Sequence, residues 1–252
     1  MTSRDLQNRD LVREEFTRAA STFAERTKGR FDHMNVVEFS RVESGSTVME
    51  IGAGTGNFLA LFSGVAARLI AVDVTDEMLR TAQRSFPDME LVLGDGARLP
   101  FAGRSVDLVS CAQMLHHIHE PLPLLKEMRR LTKPDGSVLV IDQAAPESYE
   151  KAAFMNELET IRDPSHATSR SPSVLRVLLQ TAGLEVVDEK LTTVTQTMSK
   201  WMAPGEFPDE RFGMVEEFIE KYGPETGMNF RKERGEWAFD RRRVMFLCKR
   251  GT

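Results

Sequence analysis

The stretch VMEIGAGTGNF, residues 48–58, decides how this chain folds. An apolar run with an acid at Glu50 leads into glycines at every second position, Gly52, Gly54 and Gly56, and apolar residues then resume at helical spacing. Glycine takes positive φ at little cost and lets a ligand approach the backbone closely. The pattern therefore predicts a strand, a glycine loop and a helix, with a ligand site over the carboxyl end of the strand.

Two other interpretations of this loop compete with that prediction. A tight turn without a ligand is one, since glycines commonly mark turns. A dinucleotide-binding domain is the other, and it uses G-x-G-x-x-G at the same place. In this chain the third glycine is Gly56, and position 57, where the dinucleotide pattern has glycine or alanine, is Asn57. Glu50 would also oppose a pyrophosphate, whereas it suits a ligand that carries positive charge or donates from hydroxyl and amine groups.

Further segments follow this loop in a recognisable order. RLIAVD ends an apolar run at Asp73, and ELVLGDG places Asp95 just after the next apolar run. SVDLVSCAQMLHHIHEP has the pattern of a fourth strand and its loop, and LLKEMRRLTKPDGSVLVIDQ that of a helix, a Pro-Asp-Gly turn and a fifth strand. Taken alone, Asp73 could belong to a helix cap and Asp95 to an ordinary turn. The ordered set, over residues 40–145, resembles the class I S-adenosylmethionine-dependent methyltransferases, whose first motif is an acid followed by G-x-G-x-G.

The resemblance implies S-adenosylmethionine as the cofactor and S-adenosylhomocysteine as the product. By analogy, Asp73 accepts both ribose hydroxyls, Asp95 accepts from the adenine amino group, and Met78 lies near the adenine. The backbone of Ala112 and Gln113 is expected to contact the methionine end. The predicted cofactor-binding residues are Glu50, Gly52, Ala53, Gly54, Gly56, Asp73, Val74, Met78, Asp95, Gly96, Ala112 and Gln113.

Histidines are the candidate catalytic residues. Methyl transfer from a sulfonium needs alignment above all, and a general base only where the acceptor must lose a proton. In SCAQMLHH, His116 resembles the histidine that related small-molecule methyltransferases place beside the acceptor, and its ordinary pKa suits proton removal. His166, in RDPSHAT, is a second candidate. Packing or capping of the loop is an alternative role for His116.

The expected acceptor is a small, partly apolar molecule. LPF at residues 99–101, the LHH motif and KPDGSVLVID resemble the methyltransferases of ubiquinone and menaquinone biosynthesis, although these motifs specify the cofactor better than the acceptor. The fourth-strand segment lacks the Asn/Asp-Pro-Pro-aromatic motif of enzymes that methylate exocyclic base nitrogens. Acids outnumber Lys and Arg by 38 to 33, a net charge of -5, which argues against nucleic acid as a partner.

The predicted fold class is α/β. Alternating strands and helices imply a parallel sheet, and the resemblance implies a Rossmann-like, seven-stranded sheet in the order 3-2-1-4-5-7-6, with the last strand antiparallel and helical lid insertions. We expect helices over residues 9–27 and 30–43, the first closing over the ligand site. The predicted single domain comprises N-terminal helices (1–43), a cofactor-binding core (44–145), lid or substrate insertions (146–171 and 197–239), and segments that complete the sheet (172–196 and 240–252).

Composition and the remaining motifs add smaller predictions. Cys111 and Cys248 lack metal-like spacing, and no apolar run reaches the roughly 18 residues that cross a bilayer, so we expect a cytoplasmic protein without metal or membrane span. A monomer or homodimer is expected. The basic run at residues 241–243 could contact an acidic group, but a solvated strand end is the favoured interpretation.

Two functions of other kinds stay open at this level. An NAD-linked oxidoreductase is disfavoured by the glycine spacing and because Tyr149 is not followed by lysine at the fourth position after it. A protein that binds S-adenosylmethionine without transferring its methyl group, as a regulator or a rearrangement catalyst, is not excluded by any motif.

Overall fold

The computed structural model describes residues 3–203 and 207–251, the first five of them as backbone only. Residues 204–206 of the second predicted insertion lie outside the described residues. Within the described part, one sheet contains eight strands, in the order β3-β2-β1-β4-β5-β8-β6 with β7 paired to β8. The strands are β1 Thr47–Ile51, β2 Arg68–Asp73, β3 Glu90–Leu93, β4 Val106–Ala112, β5 Thr132–Gln143, β6 Leu184–Thr197, β7 Arg231–Glu233 and β8 Glu236–Arg250.

The predicted α/β fold class and strand order are confirmed, with one addition. Strands β1 to β5 pair in parallel, whereas β8 is antiparallel to both β5 and β6. The predicted count of seven strands was one short, because β7 forms a hairpin with β8 through the turn at Arg234 and Gly235. Its three residues, Arg-Lys-Glu, offer no apolar alternation from which a strand could be predicted.

The described helices differ from expectation mainly around the first crossover. They are α1 Ser3–Thr27, α2 Val36–Ser40, α3 Asp76–Ser85, α4 Leu122–Leu131, α5 Tyr149–Arg162, α6 Pro172–Thr181, α7 Met198–Met202 and α8 Asp209–Tyr222. The helix predicted over residues 30–43 is a 3₁₀ turn followed by α2, since Asn35 between them has a φ of 53°. The helix predicted after the glycine loop is only a 3₁₀ helix, Leu59–Phe62.

The Pro-Asp-Gly segment lies inside β5. Val106 pairs with Thr132 and Leu108 pairs with Ser137, so β5 uses three more residues than β4 over the same distance. Residues 133–136 therefore bulge out of the ladder instead of forming a turn ahead of the strand. Proline is tolerated at such a point because it has no N–H to contribute to the ladder.

Both faces of the central parallel strands β1, β4 and β5 are buried, as is usual where helices cover a parallel sheet. Successive residues of β1 alternate: Val48 joins the core on the side of α3, and Met49 joins the core on the side of α4 and α6. A third core belongs to the inserted segments, residues 146–171 and 198–235, which we call the lid. It packs onto the start of β8 and contains Ala145, Met155, Leu158, Met198, Trp201, Met202, Phe207, Val215, Phe218, Ile219, Met228 and Phe239.

Candidate cofactor and acceptor site

A cavity of about 420 Å³ lies where β1, β2 and β4 end. Eleven of the twelve predicted cofactor-binding residues line this cavity: Glu50, Gly52, Ala53, Gly54, Asp73, Val74, Met78, Asp95, Gly96, Ala112 and Gln113. Gly56 is not among the lining residues. A Cβ at Gly56 would lie 3.1 Å from the Phe86 ring, so this glycine lets the loop pack against the end of α3. The structure thus places the three predicted acids around one cavity, while their roles stay predictions.

Glu50 is a buried carboxylate with spare hydrogen-bonding capacity. Its residue is 1% exposed, and its Oε2 has no hydrogen-bond partner among the described residues. Burial raises the pKa of Glu50 well above its usual range, the nearby Asp73 carboxylate raises it further, and the Leu59 amide opposes both. A buried acceptor without a donor is costly, so a ligand that donates a hydrogen bond or carries positive charge fits this position.

Asp73 is held in place by the glycine loop. Its Oδ2 accepts from the Gly54 amide at 2.8 Å, and its Oδ1 accepts from the Thr75 amide at 2.9 Å. Burial raises the pKa of Asp73, and these backbone hydrogen bonds lower it. Each carboxylate oxygen can still accept a second hydrogen bond. The side chain therefore suits the pair of neighbouring hydroxyls on a ribose.

Helix α1 closes the cavity from above. Arg9 forms an ion pair of 2.8 Å with Asp95, the acid predicted to contact adenine. Asn8 donates to the Ser165 carbonyl of the lid at 3.0 Å. Phe16 and Phe23, from the same helix, also line the cavity. The first helix thus covers the site, and it brings a charged group that the sequence had not indicated.

Asn57 fixes the other end of α1. Its side-chain amide donates to the Ala24 carbonyl at 2.6 Å and to the Thr27 hydroxyl at 2.9 Å. The residue that distinguishes this loop from the dinucleotide pattern therefore fastens the covering helix to the glycine loop. The sequence shows only that position 57 carries an amide side chain. It does not show the contact, because Ala24 and Thr27 lie 33 and 30 residues earlier.

A second cavity of about 70 Å³ adjoins the first. The two share wall residues from α1, the turn after it and the loop after β4, namely Phe16, Phe23, Arg30, Gln113 and His117. Gln113 has a φ of 55°, and its amide donates to the Ile141 carbonyl of β5 at 2.7 Å. This turn directs the chain out of β4 and between the cavities. Its backbone position agrees with the predicted contact to a cofactor, which stays a prediction.

His116 lines the second cavity and pairs with Asp142 at the end of β5. Its Nδ1 lies 2.5 Å from Asp142 Oδ1, and both residues are at most 5% exposed. Burial holds the pKa of His116 well below its usual range and raises the pKa of Asp142 to about 6. Asp142 Oδ1 also accepts from the Gln143 amide, so His116 donates through Nδ1. Neutral His116 then carries its free electron pair on Nε2, as a general base must.

The other histidines are differently placed. His166 borders neither of the two cavities, and its Nε2 lies 2.9 Å from Asn156 Oδ1, an atom that also accepts from the Ser169 amide. His166 therefore donates to Asn156 and supports the lid. His117 borders both cavities, and its Nδ1 lies 3.1 Å from the Ser165 carbonyl. Of the two predicted catalytic residues, the structure thus places only His116 beside a cavity.

Two arginines of the basic run, Arg241 and Arg243 in the middle of β8, are buried, so the interpretation of the run as a solvated strand end was wrong. Arg241 is 7% exposed and Arg243 is 6% exposed. Strand β8 is internal, between β5 and β6, and the lid packs over its first residues. Asp142 and these arginines were missed as site residues, because no local pattern shows that segments so distant in sequence meet there.

Other chemistry receives no support from the described residues. Cys111 and Cys248 are buried free thiols, and burial raises the pKa of both. Within the described ranges, no group of three His, Cys, Asp or Glu side chains has the arrangement of a metal site. No helix in the described part of the chain is long and apolar enough to span a bilayer.

Comparison with known proteins adds independent findings. A family profile described as a methyltransferase domain matches residues 49–140. The uncharacterized methyltransferase YcgJ of Bacillus subtilis is 30% identical over 169 residues, 65% of this chain and 67% of that protein. A demethylmenaquinone methyltransferase of Renibacterium salmoninarum is 33% identical over 111 residues, 44% of this chain and 47% of that enzyme, so the chain spans less than half of it. A crystal structure described as a methyltransferase from Bacillus halodurans superposes with a TM-score of 0.80 at 23% identity, covering 88% of this chain and 99% of the other.

Proposed function

The chain belongs to the class I S-adenosylmethionine-dependent methyltransferases, and on that basis we propose that it methylates a small, partly apolar organic acceptor bound in the second cavity. One observation carries this proposal: the acid-lined cavity meets the second cavity beside Gln113 and His117. An acceptor there would lie next to the cofactor and against His116. The aromatic walls of the second cavity, together with the demethylmenaquinone methyltransferases among the relatives, support an apolar body for the acceptor.

The residues of the larger cavity fit the cofactor. S-adenosylmethionine supplies, when bound, a methyl group on a positively charged sulfur that leaves as a neutral thioether. Glu50 offers a buried acceptor without a partner, and Asp73 offers carboxylate oxygens that two backbone amides already orient. Because α1 covers the cavity and Asn57 fastens this helix to the glycine loop, the protein restricts the access of water to the bound cofactor. This covering and alignment is the main contribution that the chain makes to catalysis.

His116 supplies a base for acceptors that lose a proton. Asp142 orients its ring through Nδ1 and leaves Nε2 free to accept. Because burial lowers the pKa of His116, the imidazole stays neutral below the pH at which an ordinary histidine becomes charged. A proton taken by Nε2 is stabilised by the Asp142 carboxylate on the other side of the ring.

Two variants test the proposal, the first through the cofactor. Calorimetric titration with S-adenosylhomocysteine should show that Asp73→Asn weakens binding by about 10 to 100-fold, the value of a hydrogen bond to a charged group. Asp76→Asn is the matched control, because this nearby carboxylate pairs with Arg80 on the surface of α3 and should leave affinity unchanged. If Asp73→Asn binds S-adenosylhomocysteine as tightly as the unchanged protein does, the assigned site is wrong.

The second variant tests the base. His116→Gln should keep its affinity for S-adenosylhomocysteine but lose about 10² to 10⁴ in turnover with an acceptor that must be deprotonated. Turnover is measured as the mass gain of one methyl group on the acceptor. His33→Gln, an exposed histidine, is the control. Unchanged turnover of His116→Gln at saturating acceptor would remove His116 from the mechanism. Cofactor binding without any methylated product would favour a non-catalytic binder.

A further inference from the structure

Arginines are concentrated around the second cavity, where Arg162, Arg241 and Arg243 are buried and Arg30 is partly buried. Arg30, Arg162 and Arg241 line it, and Arg243 lies behind Arg30 and donates to the Arg30 carbonyl at 2.9 Å. We call these four residues the arginine cluster. Burial lowers the pKa of Arg30, and the charges of the other three arginines lower it further. Guanidinium groups nevertheless keep their protons in proteins. The cluster therefore concentrates positive charge at the wall of the second cavity.

The acids near the cluster are already engaged. Glu159 lies 3.1 Å from Arg162 and 3.8 Å from Arg241. Asp163 lies 3.6 Å from Arg162 and accepts from the Ser165 hydroxyl at 2.6 Å. These two carboxylates therefore offset the charges of Arg162, which belongs to the lid, and of Arg241, which belongs to β8. Neither forms an ion pair with Arg30.

Arg30 has no carboxylate within ion-pair distance among the described residues. Its side chain lies over the Phe23 ring, with the guanidinium carbon 5.8 Å from the ring centre. The remaining acid of the cavity wall, Glu15, pairs with Arg18 instead. A partly buried cation without a counter-charge is a favourable place for an anion to bind. Among the described residues of the cavity wall, none therefore supplies a negative charge to Arg30.

The volume and lining of the second cavity suit one kind of anion. Its volume of about 70 Å³ is well above the roughly 15 Å³ that one water needs, which leaves room for a carboxylate and neighbouring atoms. The planar fork of a guanidinium matches the two oxygens of a carboxylate. Aromatic rings form much of the remaining wall, from Phe16, Phe23, Trp201 and Phe207.

We propose that the second cavity is a carboxylate-binding site built on Arg30, and that the methyl acceptor is a small organic acid with an aromatic or otherwise apolar body. The proposal rests on the proposed function, because it assigns the second cavity to the acceptor. The cofactor also carries a carboxylate, and Arg30 borders both cavities. Arg162 and Arg241, however, border the second cavity and not the first. The positive charge is therefore concentrated on the acceptor side.

The first test measures binding without turnover. Benzoate is titrated calorimetrically into the protein saturated with S-adenosylhomocysteine, and benzamide, of nearly equal shape but neutral, is titrated in parallel. We expect benzoate to bind about tenfold or more tightly than benzamide, and Arg30→Gln to remove that preference. Arg242→Gln is the matched control. It also removes one positive charge, but from a residue of β8 that borders neither cavity. Equal binding of benzoate and benzamide would overturn the proposal.

Thermal unfolding separates a binding role from a structural one. Because Arg30 faces other cations and no acid, Arg30→Gln should unfold at an unchanged or higher temperature than the original chain, while losing the stabilisation that benzoate gives. A fall of several degrees without benzoate would show that Arg30 supports the fold, and would count against the proposal. Arg241→Gln provides a second variant, expected to weaken benzoate binding as well.

The source of the carboxylate is decided with two cofactor analogues. S-adenosylhomocysteine has the amino-acid carboxylate, whereas 5′-methylthioadenosine lacks it. We expect the ratio of the affinities for these two analogues to be the same in Arg30→Gln as in the original protein. Weaker binding of S-adenosylhomocysteine alone would assign Arg30 to the cofactor and overturn the acceptor assignment. If the original protein binds neither analogue, the proposed function itself is wrong, whatever the result of the benzoate titration.

Discussion

The buried histidines show how hydrogen bonds assign roles at the scale of single residues. The rings of His116 and His117 lie 4.3 Å apart, and those of His116 and His166 lie 5.8 Å apart. Similar burial thus acts on all three, but their partners differ. His116 faces a carboxylate that leaves one ring nitrogen free to accept, while His166 faces the amide oxygen of Asn156 and must donate. Only the first arrangement suits proton removal.

The burial of His166 predicts a pH dependence of stability. Burial lowers the pKa of His166 to about 3, whereas the unfolded chain has the ordinary value of about 6.5. Between these values the unfolded chain binds one proton more, so the free energy of unfolding falls as the pH falls, by about 1.4 kcal/mol per pH unit for this group. His166→Gln, which keeps a donor for Asn156, should show a shallower loss. Urea unfolding between pH 4.5 and 6.5 measures the slopes.

Other titrating groups act in both proteins and cancel in the comparison. Asp142, with its pKa raised to about 6, works in the opposite direction, since its folded form takes up a proton first on acidification. His33→Gln serves as a control, because this histidine is exposed on the surface and lies outside the buried group of histidines. Equal slopes for His166→Gln and the original chain would show that His166 accepts a proton in the folded state.

At the scale of elements, the glycine loop is shaped by what lies beside each glycine. Gly52 has a φ of 74°, and a Cβ there would lie 2.6 Å from Met114 Cγ, at the start of the turn that carries His116. Gly54 has a φ of 54°, and a Cβ there would meet no atom within 4 Å. Both positions need the left-handed region, but only Gly52 is also crowded. The first glycine thus links the cofactor loop to the candidate base.

This difference predicts unequal effects of the same substitution. Gly54→Ala should lose about 1–2 kcal/mol of unfolding free energy, from backbone strain alone. Gly52→Ala should lose a further 1–3 kcal/mol or so, because Met114 and the turn must move. Urea unfolding at fixed pH measures both. Equal losses would mean that the Met114 side chain adapts without cost, and that the loop and the histidine turn are not coupled through this contact.

At the scale of the whole molecule, the lid is continuous with the sheet. Trp201 of α7 is 1% exposed, and its ring centre lies 4.9 Å from that of Phe239, which belongs to β8. The lid core therefore includes a residue of an internal strand. Because β8 pairs with β5, β6 and β7, the lid cannot separate from the sheet without exposing apolar surface.

This continuity predicts a single unfolding transition. The chain has only two tryptophans, Trp201 and Trp237, and both pack in the lid, so their fluorescence reports on it. Far-ultraviolet circular dichroism reports on the helices and strands as a whole. The two signals should have the same midpoint in urea. An earlier fluorescence midpoint would show that the lid unfolds by itself.

Matched core substitutions sharpen this test. Leu158→Ala in the lid core and Leu179→Ala in the sheet core should each cost about 2–5 kcal/mol, because both side chains are fully buried. In one cooperative unit, each substitution shifts both signals equally. A lid substitution that moves only the fluorescence signal would contradict that picture.

The sequence by itself determined the cofactor half of this protein. The glycine spacing, the acids at the ends of consecutive strands and the apolar periodicities are local patterns, and local geometry follows from them because φ restrictions and side-chain periodicity act over a few residues. These patterns, with the family resemblance that they carry, placed Glu50, Asp73 and Asp95 at one edge of the sheet from the sequence alone. The same reasoning missed β7, whose three charged residues carry no periodic signal.

Only the tertiary structure decided what surrounds the second cavity. Asp142 reaches His116 from a different strand, and Arg241 reaches the Gln143 side chain across 98 residues of chain. Whether Arg241 is solvated or buried depends on the lid that covers β8, and no pattern within the basic run contains that information. Burial and pairing are properties of the folded neighbourhood, so the position of Arg30 in the wall of the second cavity became visible only when distant segments were brought together.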